Sequence, residues 1–425
     1  MTERSTGFYL KSARWLFLIY IAFLPIVRPL NFRYLGIHIL LTDLIFAAAL
    51  VLWILSFRTR SPITDRKLLT FCGAFLGALF VSAVFSTETG KSFVKLFGAF
   101  YLTAVALMTV DLVQDPKSLK RIVFAFLLGT LLTIFGTLAG LLGYYLGFDS
   151  AESNFFLFHF GSLPVGNYPR VMSFFENPNM TANYLNISIM MILGARRVGW
   201  LSLRASLAAA SGVFISALFA ISAGLGGLIM SGALWITFSI KGLNRKLRAA
   251  VLFSGLLVGV LALVSTAIAP STREDRNAVS VLLTEFRAEP SVRYLVWVNA
   301  IERGMEYPLI GRGTGTDAAN VRYTAPSGQK QLLRDAHQAW LNIFGQAGII
   351  GLATFVALCV YLISVTRFRF LSGSIQETLL VACSCSFVGA FLLQNLFGSF
   401  EDARHIWLLV GMIVGLARAV NAEVT

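Results

Sequence analysis

The chain has 425 residues, of which 56% are hydrophobic and only 13% are charged, and its mean hydropathy is +0.74. Apolar runs long enough to cross about 30 Å of hydrocarbon recur along the whole chain, which excludes a soluble globular protein with an ordinary core. The formal net charge of +14 is concentrated in connectors between these runs, so it indicates membrane orientation and excludes a nucleic-acid-binding role.

The apolar runs predict an all-α integral membrane protein with about twelve transmembrane helices. The first run follows Lys11 and Arg14 and lacks a cleavage signal, so we expect an uncleaved first helix. Residues 1–269 would hold nine spans, residues 270–336 a large loop with helical content, and residues 337–425 three spans. The predicted spans are at about 15–30, 37–57, 68–86, 93–112, 121–147, 180–195, 205–221, 225–240, 249–269, 338–365, 377–399 and 406–420.

Basic residues are concentrated in alternate connectors between the predicted spans. The positive-inside rule places these connectors in the cytoplasm, and an even number of spans puts both termini there. Two longer loops, at about 148–179 and 270–336, then lie on the outer side. The basic connectors contain Arg58, Arg60, Arg66, Lys67, Lys117, Lys120, Arg121, Arg196, Arg197, Arg204, Lys241, Arg245, Lys246, Arg248, Arg367 and Arg369.

The first outer loop contains one basic residue, Arg170, in the stretch HFGSLPVGNYPRVMSFFENPNM. A guanidinium among aromatic and turn residues at a membrane surface can hold a phosphate through two parallel hydrogen bonds. The alternative is an interfacial arginine that reaches lipid headgroups. The sequence Asn177-Pro178-Asn179 predicts a turn and the start of the sixth span.

The second outer loop contains an amphipathic helical stretch, SVRYLVWVNAIERG, with Arg293 and Trp297 four residues apart. That spacing suits a guanidinium placed against a ring with its N–H groups directed at an anion. The alternative is an ion pair between Arg293 and Glu289. The following YPLIGRGTGTD predicts a turn that returns the chain toward the tenth span, with Arg312 as a further candidate phosphate ligand.

The stretch DAHQAWLNIFGQAGIIG begins at Asp335 and leads into the tenth span. We expect Asp335 to cap the helix, paired with Gln338, so that His337 lies in the first turn. The helix dipole there disfavours an imidazolium, and a neutral imidazole can act as a general base. Glycines at every third position from 345 to 351 would let another helix approach closely. The alternative is an interfacial histidine before an ordinary transmembrane helix.

The sequence predicts no metal site and no cofactor. The four cysteines lie inside apolar runs, and the four histidines lack the spacing of metal ligands. The glycines of YPLIGRGTGTD are not followed by the Lys-Ser/Thr of a nucleotide-binding loop.

Several of these motifs occur in an order that resembles the O-antigen ligase and O-antigen polymerase superfamily. The resemblance covers about Tyr168 to Leu352 by motif and the remainder by hydropathy alone. The motifs are Arg170 before NPN, Arg293-x-x-x-Trp297, Pro308-Leu309-x-Gly311-x-Gly313-x-Gly315, and His337-Gln338 followed after nine residues by Gly348-x-x-Gly351.

One position departs from the family pattern. At Ser222-Ala223-Gly224 the family often has Ser-Arg-Gly. If that arginine holds phosphate in the family, this chain either uses another cation in its place or works without one. The candidates are Arg28, Arg33, Lys91 and Arg404.

The resemblance implies a glycosyltransferase in the bacterial inner membrane that works at the periplasmic face without metal or nucleotide. The expected donor is a glycan on undecaprenyl pyrophosphate, the expected acceptor is lipid A–core, and the surrounding partner is membrane lipid. Arg170 and Arg293 would hold the pyrophosphate, and His337 would activate the acceptor hydroxyl, with inversion at the anomeric carbon. The candidate substrate-binding residues are Arg170, Arg293, Trp297, Arg312 and Gln338.

Other functions remain open at this stage. A polymerase that extends carrier-linked repeats shares the chemistry, but the second outer loop is about twice the first, which favours the ligase. Protein glycosylation is a more distant alternative. A lipid-linked glycan transporter is a different class, and Asp43, Lys95 and Asp111 are the clear charges within spans. A carboxylate nucleophile from Asp317, Glu401 or Asp402 also stays open.

Overall fold

The computed structural model describes residues 3–28, 31–34, 37–58, 60–147, 155–157, 169–220, 222–240, 242–270, 279–280, 287–324, 330–368 and 374–422. Much of the first outer loop, the side chain of Arg33 and the side chain of Glu289 lie outside these residues. The alternative pairing of Arg293 with Glu289 therefore stays a prediction.

The described residues form an all-α protein, as the sequence predicts. Each of the twelve predicted spans overlaps a different helix, and a further helix, α10, lies in the second outer loop. The helices are α1 Glu3–Phe23, α2 Leu41–Leu55, α3 Arg66–Val84, α4 Thr89–Leu112, α5 Pro116–Tyr145, α6 Pro178–Arg197, α7 Leu203–Ala220, α8 Gly224–Ser239, α9 Arg245–Ala267, α10 Val292–Glu306, α11 Ala339–Val365, α12 Ile375–Ser386 and α13 Arg404–Ala422. A π-helical segment, Phe387–Leu393, and a 3₁₀ turn, Gln394–Leu396, continue α12.

Within the described residues, eight helical segments are long and apolar enough to cross a membrane. Their length and composition confirm a multi-pass membrane protein, whereas the count of twelve spans stays a prediction. The eight segments are Leu41–Arg58, Arg66–Val84, Thr89–Leu112, Pro116–Tyr145, Leu203–Ala220, Ala339–Val365, Ile375–Leu396 and Arg404–Ala422.

Short antiparallel strands lie in the connections between the helices. They form a hairpin β1–β2, a three-stranded sheet in the order β3-β5-β4, and a hairpin β6–β7, and the last two flank α10. The strands are β1 Asn31–Tyr34, β2 Ile37–Leu40, β3 Ile268–Pro270, β4 Val279–Ser280, β5 Arg287–Pro290, β6 Val321–Thr324 and β7 Lys330–Leu333.

The first helix begins and ends earlier than its apolar run suggests. The run predicts a span at 15–30, but α1 covers Glu3–Phe23. The chain turns at Leu24 and Pro25, because a residue before proline is pushed out of the helical region and proline has no N–H to continue the helix.

α13 is the central helix of the bundle and is buried along most of its length. It packs along α4, where a Cβ on Gly411 would come within 2.4 Å of the Ala106 carbonyl oxygen. Gly415 lies against Val110 in the same way. Small residues at this contact let the two backbones approach, as is usual for helices in lipid.

α11 is interrupted at Gly348, which has φ of +64°. The glycine-rich segment 308–313 fills the break: Ile349 N donates to the Pro308 carbonyl at 2.8 Å, and Gly313 N donates to the Gln346 carbonyl at 3.0 Å. The expectation that these glycines admit another helix is therefore wrong for Gly348. A loop backbone approaches there, and the loop supplies the hydrogen bonds that the broken helix lacks.

Contacts between helix ends define two opposite ends of the bundle. At one end, Arg60 pairs with Asp111, and Tyr361 donates to Asp65 at 2.8 Å. At the other end, the segment after α1 meets Phe174, and α11 and α13 begin. Arg170, Arg293 and His337 all lie toward this second end, so the bundle fixes which residues form one site.

Candidate active site

Arg170 lies at the end of the first outer loop, before the isolated bridge between Leu157 and Val171. Its Nε donates to the carbonyl of Ala220, the last residue of α7, at 3.0 Å. Its Nη2 donates to Asn179 Oδ1 in the first turn of α6 at 3.1 Å. Two helix ends therefore fix this half-buried guanidinium.

The predicted helix start at Asn177-Pro178-Asn179 is confirmed. Asn177 caps α6 and accepts a hydrogen bond from Met180 N at 2.8 Å, and Pro178 occupies the first helical position. Asn179 is then oriented toward the turn between α7 and α8, where Ser222 Oγ donates to the same Oδ1 at 2.7 Å. Ala223, where the sequence departs from the family pattern, therefore directly follows Ser222, which shares the Asn179 oxygen with Arg170.

Arg293 lies in the first turn of α10, which begins as the amphipathic pattern predicts. Ser291 caps the helix, and Arg293 Nη1 donates to the carbonyl of Phe397 at 3.1 Å. The described part of the chain shows no cation–π contact between Arg293 and Trp297. The Trp297 Nε1 is buried and has no hydrogen-bond partner among the described residues.

Arg312 lies apart from the other candidates, in the segment that fills the break in α11. Its guanidinium pairs with Glu306 and lies 5.5 Å from the centre of the Tyr307 ring. Its backbone N donates to the Gly345 carbonyl at 3.2 Å. The structure therefore gives Arg312 a structural contact, and its role as a phosphate ligand stays a prediction.

His337 precedes α11 and does not lie in its first turn, so that expectation is wrong. The helix begins at Ala339, with Gln338 at the N-cap position and without a side-chain cap. His337 has φ of +51°, and its N donates to Asp335 Oδ1 at 2.5 Å. Asp335 does not cap the helix, because its carboxylate instead bonds to the residues of a tertiary network.

Asn342 and Ser399 complete that network around Asp335 Oδ1. Ser399 Oγ donates to it at 2.7 Å, and Asn342 Nδ2 lies 3.1 Å from it. The same Nδ2 lies 2.8 Å from Ser399 Oγ and 3.2 Å from Glu401 Oε1. An amide group has only two N–H bonds for these three acceptors, so at least two of the acceptors share one N–H or alternate in accepting it.

Glu401 is the buried acid of this network and is only 8% exposed. Burial raises its pKa to about 7, with Lys95 opposing the shift and Asp335 adding to it. Of the three acids that sequence leaves open as nucleophiles, Asp402 pairs with Lys95 and Asp317 lies 3.6 Å from Arg334. Glu401 alone of the three is hydrogen-bonded into the His337 network within the described residues.

Arg293 connects the two other candidates electrostatically. Burial lowers the pKa of Arg170 to about 10, and the charge of Arg293 adds to this shift. Burial also lowers the pKa of His337, with Asp335 opposing and Arg293 adding to the shift. Arg170 and His337 therefore both lie within electrostatic range of Arg293, and the lowered pKa of His337 favours its neutral imidazole.

A cavity of about 620 Å³ opens beside this site between the ends of α1, α2, α4, α6 and α13. Most of its lining residues are apolar, and its charged residues include Asp43, Lys95, Asp402 and Arg404. Arg404 pairs with Asp43 at 2.7 Å. The cavity meets the His337 network through Lys95 and Asp402, which also line a small cavity with Glu401.

Sequence reasoning did not find Asn342 or Ser399, and it named Asp335 in another role. Asn342 is a polar residue in an apolar helix start, which is a usable signal. Ser399 has no local signal, because its contact with Asp335 joins residues 64 positions apart.

Comparison with known proteins gives one match. A family model described as O-antigen ligase matches residues 182–356, which is less than half of the chain and includes Arg293, His337 and Asn342. No curated protein and no solved structure matches the chain.

Proposed function

We propose that this chain transfers O-antigen polysaccharide from undecaprenyl pyrophosphate to lipid A–core oligosaccharide, and the match of residues 182–356 to the O-antigen ligase family supports this proposal. The family is glycosyltransferase-like and the chain is a multi-pass membrane protein, so the substrates are lipid-linked. The observation that carries the proposal is the position of Arg293, whose charge acts on both Arg170 and His337.

Arg170 and Arg293 bind the donor pyrophosphate in this proposal. Two guanidinium groups that repel each other in a poorly solvated place favour an anion between them. As the anomeric carbon–oxygen bond breaks, the electron pair moves to the pyrophosphate, and both arginines stabilise the developing charge.

His337 acts as the general base on the acceptor hydroxyl. The hydroxyl oxygen attacks the anomeric carbon, its proton passes to the neutral imidazole, and the configuration at that carbon inverts. Asp335 Oδ1, 4.0 Å from Nδ1, then stabilises the imidazolium. A positioned base of this kind typically contributes about 10²–10⁴-fold to the rate.

The first test is transfer by purified protein in lipid vesicles, with chelator present. Carrier-linked O-antigen is supplied with lipid A–core or alone, and the wild type is compared with His337→Ala. We expect product on lipid A–core that resists chelation and is lost in the variant, while Arg322→Ala, an exposed arginine on β6, serves as a matched control. A fully active His337→Ala would overturn the role of the histidine.

The same assay separates the polymerase alternative. Longer carrier-linked chains from donor alone would assign polymerisation, because only the acceptor differs. Transport has no specific support among the described residues: Asp43, Lys95 and Asp111 are each ion-paired, to Arg404, Asp402 and Arg60.

We also propose that the protein lies in the bacterial inner membrane, with both termini cytoplasmic and the site periplasmic. The end of the bundle opposite to the site carries most of the basic connectors. The four native cysteines are buried, so a single cysteine at exposed Arg322 can be labelled selectively. We expect a membrane-impermeant reagent to label this cysteine from the periplasm. Labelling only after the inner membrane is permeabilised would show that the proposed topology is inverted.

A further inference from the structure

A basic cavity lies between α1 and α5, at the end of the bundle opposite to the candidate active site. It measures about 190 Å³ and is lined by Lys11, Arg14 and Trp15 of α1, by Arg121 of α5, and by Gly7 and two leucines of α1. None of the lining residues that the structure describes is acidic. We propose that this cavity binds the phosphate of an anionic phospholipid in the membrane leaflet opposite to the active site.

The charges of the cavity favour an anion. Arg14 Nε is buried and has no hydrogen-bond partner within the described residues. Arg14 lies within electrostatic range of Asp115, but the Asp115 carboxylate accepts bonds from Lys117 N, Ser118 N and Ser118 Oγ as the cap of α5. No described group therefore pairs with the Arg14 guanidinium in the cavity wall, and guanidinium groups bind phosphate oxygens well.

The other lining groups favour a lipid over a soluble phosphate. Trp15 is 54% exposed on the outer surface of α1, and the Arg121 guanidinium lies 5.9 Å from the centre of its ring. Tryptophan at this position is typical of the level of the lipid headgroups. Leucines line the same cavity, so a ligand with a charged head and an apolar tail matches both halves of the wall.

The position of the cavity sets the leaflet. α1 has 21 residues, which at about 1.5 Å per residue spans roughly 30 Å, the thickness of the hydrocarbon core. The other end of α1 leads to Val27 and Arg28, which donate to the carbonyl of Phe174 beside Arg170. The α1 residues that line the cavity, from Gly7 to Leu18, lie roughly 8–24 Å along the helix from Phe23. The cavity is therefore nearer the other end of α1, and the proposal does not depend on the transfer reaction.

The test is binding of single lipids to the delipidated full-length protein in detergent, counted by native mass spectrometry. The probes are phosphatidylglycerol, phosphatidylethanolamine and inorganic phosphate. We expect the wild type to retain phosphatidylglycerol over phosphatidylethanolamine, and the double variant Arg14→Gln/Arg121→Gln to bind phosphatidylglycerol about tenfold or more weakly. The matched control Lys67→Gln/Lys117→Gln removes two exposed charges outside the cavity and should bind as the wild type does.

A second pair of variants keeps the test valid if the double variant does not fold. A Cβ on Gly7 meets no atom within 4 Å, so Gly7→Asp adds a carboxylate to the lining without a clash, and Gly7→Ala is its control. We expect only the aspartate to weaken phosphatidylglycerol binding. Equal binding of both lipids, or unchanged binding in Gly7→Asp, would overturn the proposal. Binding of inorganic phosphate without phosphatidylglycerol would assign the cavity to a soluble phosphate compound instead.

Discussion

The side-chain amide of Asn342 holds the carboxylate of Asp335, with Nδ2 lying 3.1 Å from Oδ1. Asn342 Oδ1 also accepts a hydrogen bond from Ala336 N at 2.9 Å, so this side chain fixes the backbone on the N-terminal side of His337 as well. The orientation of the proposed base therefore depends on Asn342 through both Asp335 and the backbone of Ala336.

Replacing Asn342 should reduce catalysis more than substrate binding. We expect Asn342→Leu to lower kcat about 10- to 100-fold with a smaller change in the KM for the donor, because the imidazole loses its orientation. Steady-state transfer kinetics measure both values. Thr354→Val on the same helix is the control, since Thr354 Oγ1 bonds only to carbonyls of its own helix in the described contacts. If kcat and the amount of folded protein fall by the same factor in Asn342→Leu, Asn342 supports only the fold and does not position the base.

The pH dependence of transfer should report the protonation of His337. Burial lowers its pKa below the ordinary 6.5, and the neutral imidazole is the active form, so kcat/KM should rise with pH through an apparent pKa below 6.5. Arg293→Gln removes a positive charge that lowers this pKa, and the rising limb should therefore shift to higher pH. Arg322→Gln should leave the pH profile of kcat/KM unchanged. An unchanged profile in Arg293→Gln would show that the charge of Arg293 does not act on the base.

Glu401 should make stability depend on pH near neutrality. Burial raises its pKa from 4.5 to about 7, so the folded protein binds this proton more tightly than the unfolded chain does. The stabilisation is complete below pH 4.5 and is lost as the pH rises through about 7. Thermal unfolding in detergent should show that the stability of Glu401→Gln depends less on pH than that of the wild type. Relative to the wild type, the free energy of unfolding of the variant should rise by roughly 1–3 kcal/mol between low pH and about pH 8. A parallel pH dependence in the two proteins would contradict this assignment.

Local signals in the sequence were sufficient for the starts of α6 and α10. The amphipathic stretch between Pro290 and Gly304 predicts α10, and Asn177-Pro178 predicts the start of α6, because caps and periodicity act within a few residues. The same signals place Arg293 at the start of α10, whereas Arg170 lies in the loop before α6.

Caps and periodicity did not predict the contacts between distant parts of the chain. Asp335 has the sequence of a helix cap, but its carboxylate bonds to Ser399, and His337 therefore leaves the helix. The neighbouring sequence also does not predict the insertion of the 308–313 segment at Gly348. The spacing of the glycines indicates a close approach, but it does not indicate which backbone approaches Gly348. Tertiary bonds override local preference at these two points.

Gly348 should be intolerant of any side chain. A Cβ there would come within 2.4 Å of the backbone of Leu309, and its φ of +64° is unfavourable for other residues. We expect Gly348→Ala to lower stability by about 1–3 kcal/mol or more and to loosen the outer segment. Thermal unfolding and protease sensitivity of the 308–313 segment measure both effects. Gly77→Ala in α3, where a Cβ meets no atom within 4 Å, is the control, and equal effects of the two changes would contradict the fit described for the loop.

We propose Arg28 as the residue that takes the place of the arginine expected at Ala223. Its N donates to the Phe174 carbonyl at 3.1 Å, and its Nη1 lies 3.9 Å from the Met172 sulfur, beside the Arg170 turn. Of the other candidates with described side chains, Lys91 pairs with Glu88 and Arg404 pairs with Asp43.

We therefore expect Arg28→Ala to raise the KM for the pyrophosphate donor about tenfold with a smaller effect on kcat, because one guanidinium–phosphate contact is lost. Lys91→Ala, whose ammonium already has an acid partner, should change neither value. The double variant Arg28→Ala/Ala223→Arg should recover donor affinity, since position 223 adjoins Ser222, which bonds to the same Asn179 oxygen as Arg170. Unchanged kinetics in Arg28→Ala would exclude it as the replacement, and a loss that Ala223→Arg does not restore would place its role outside phosphate binding.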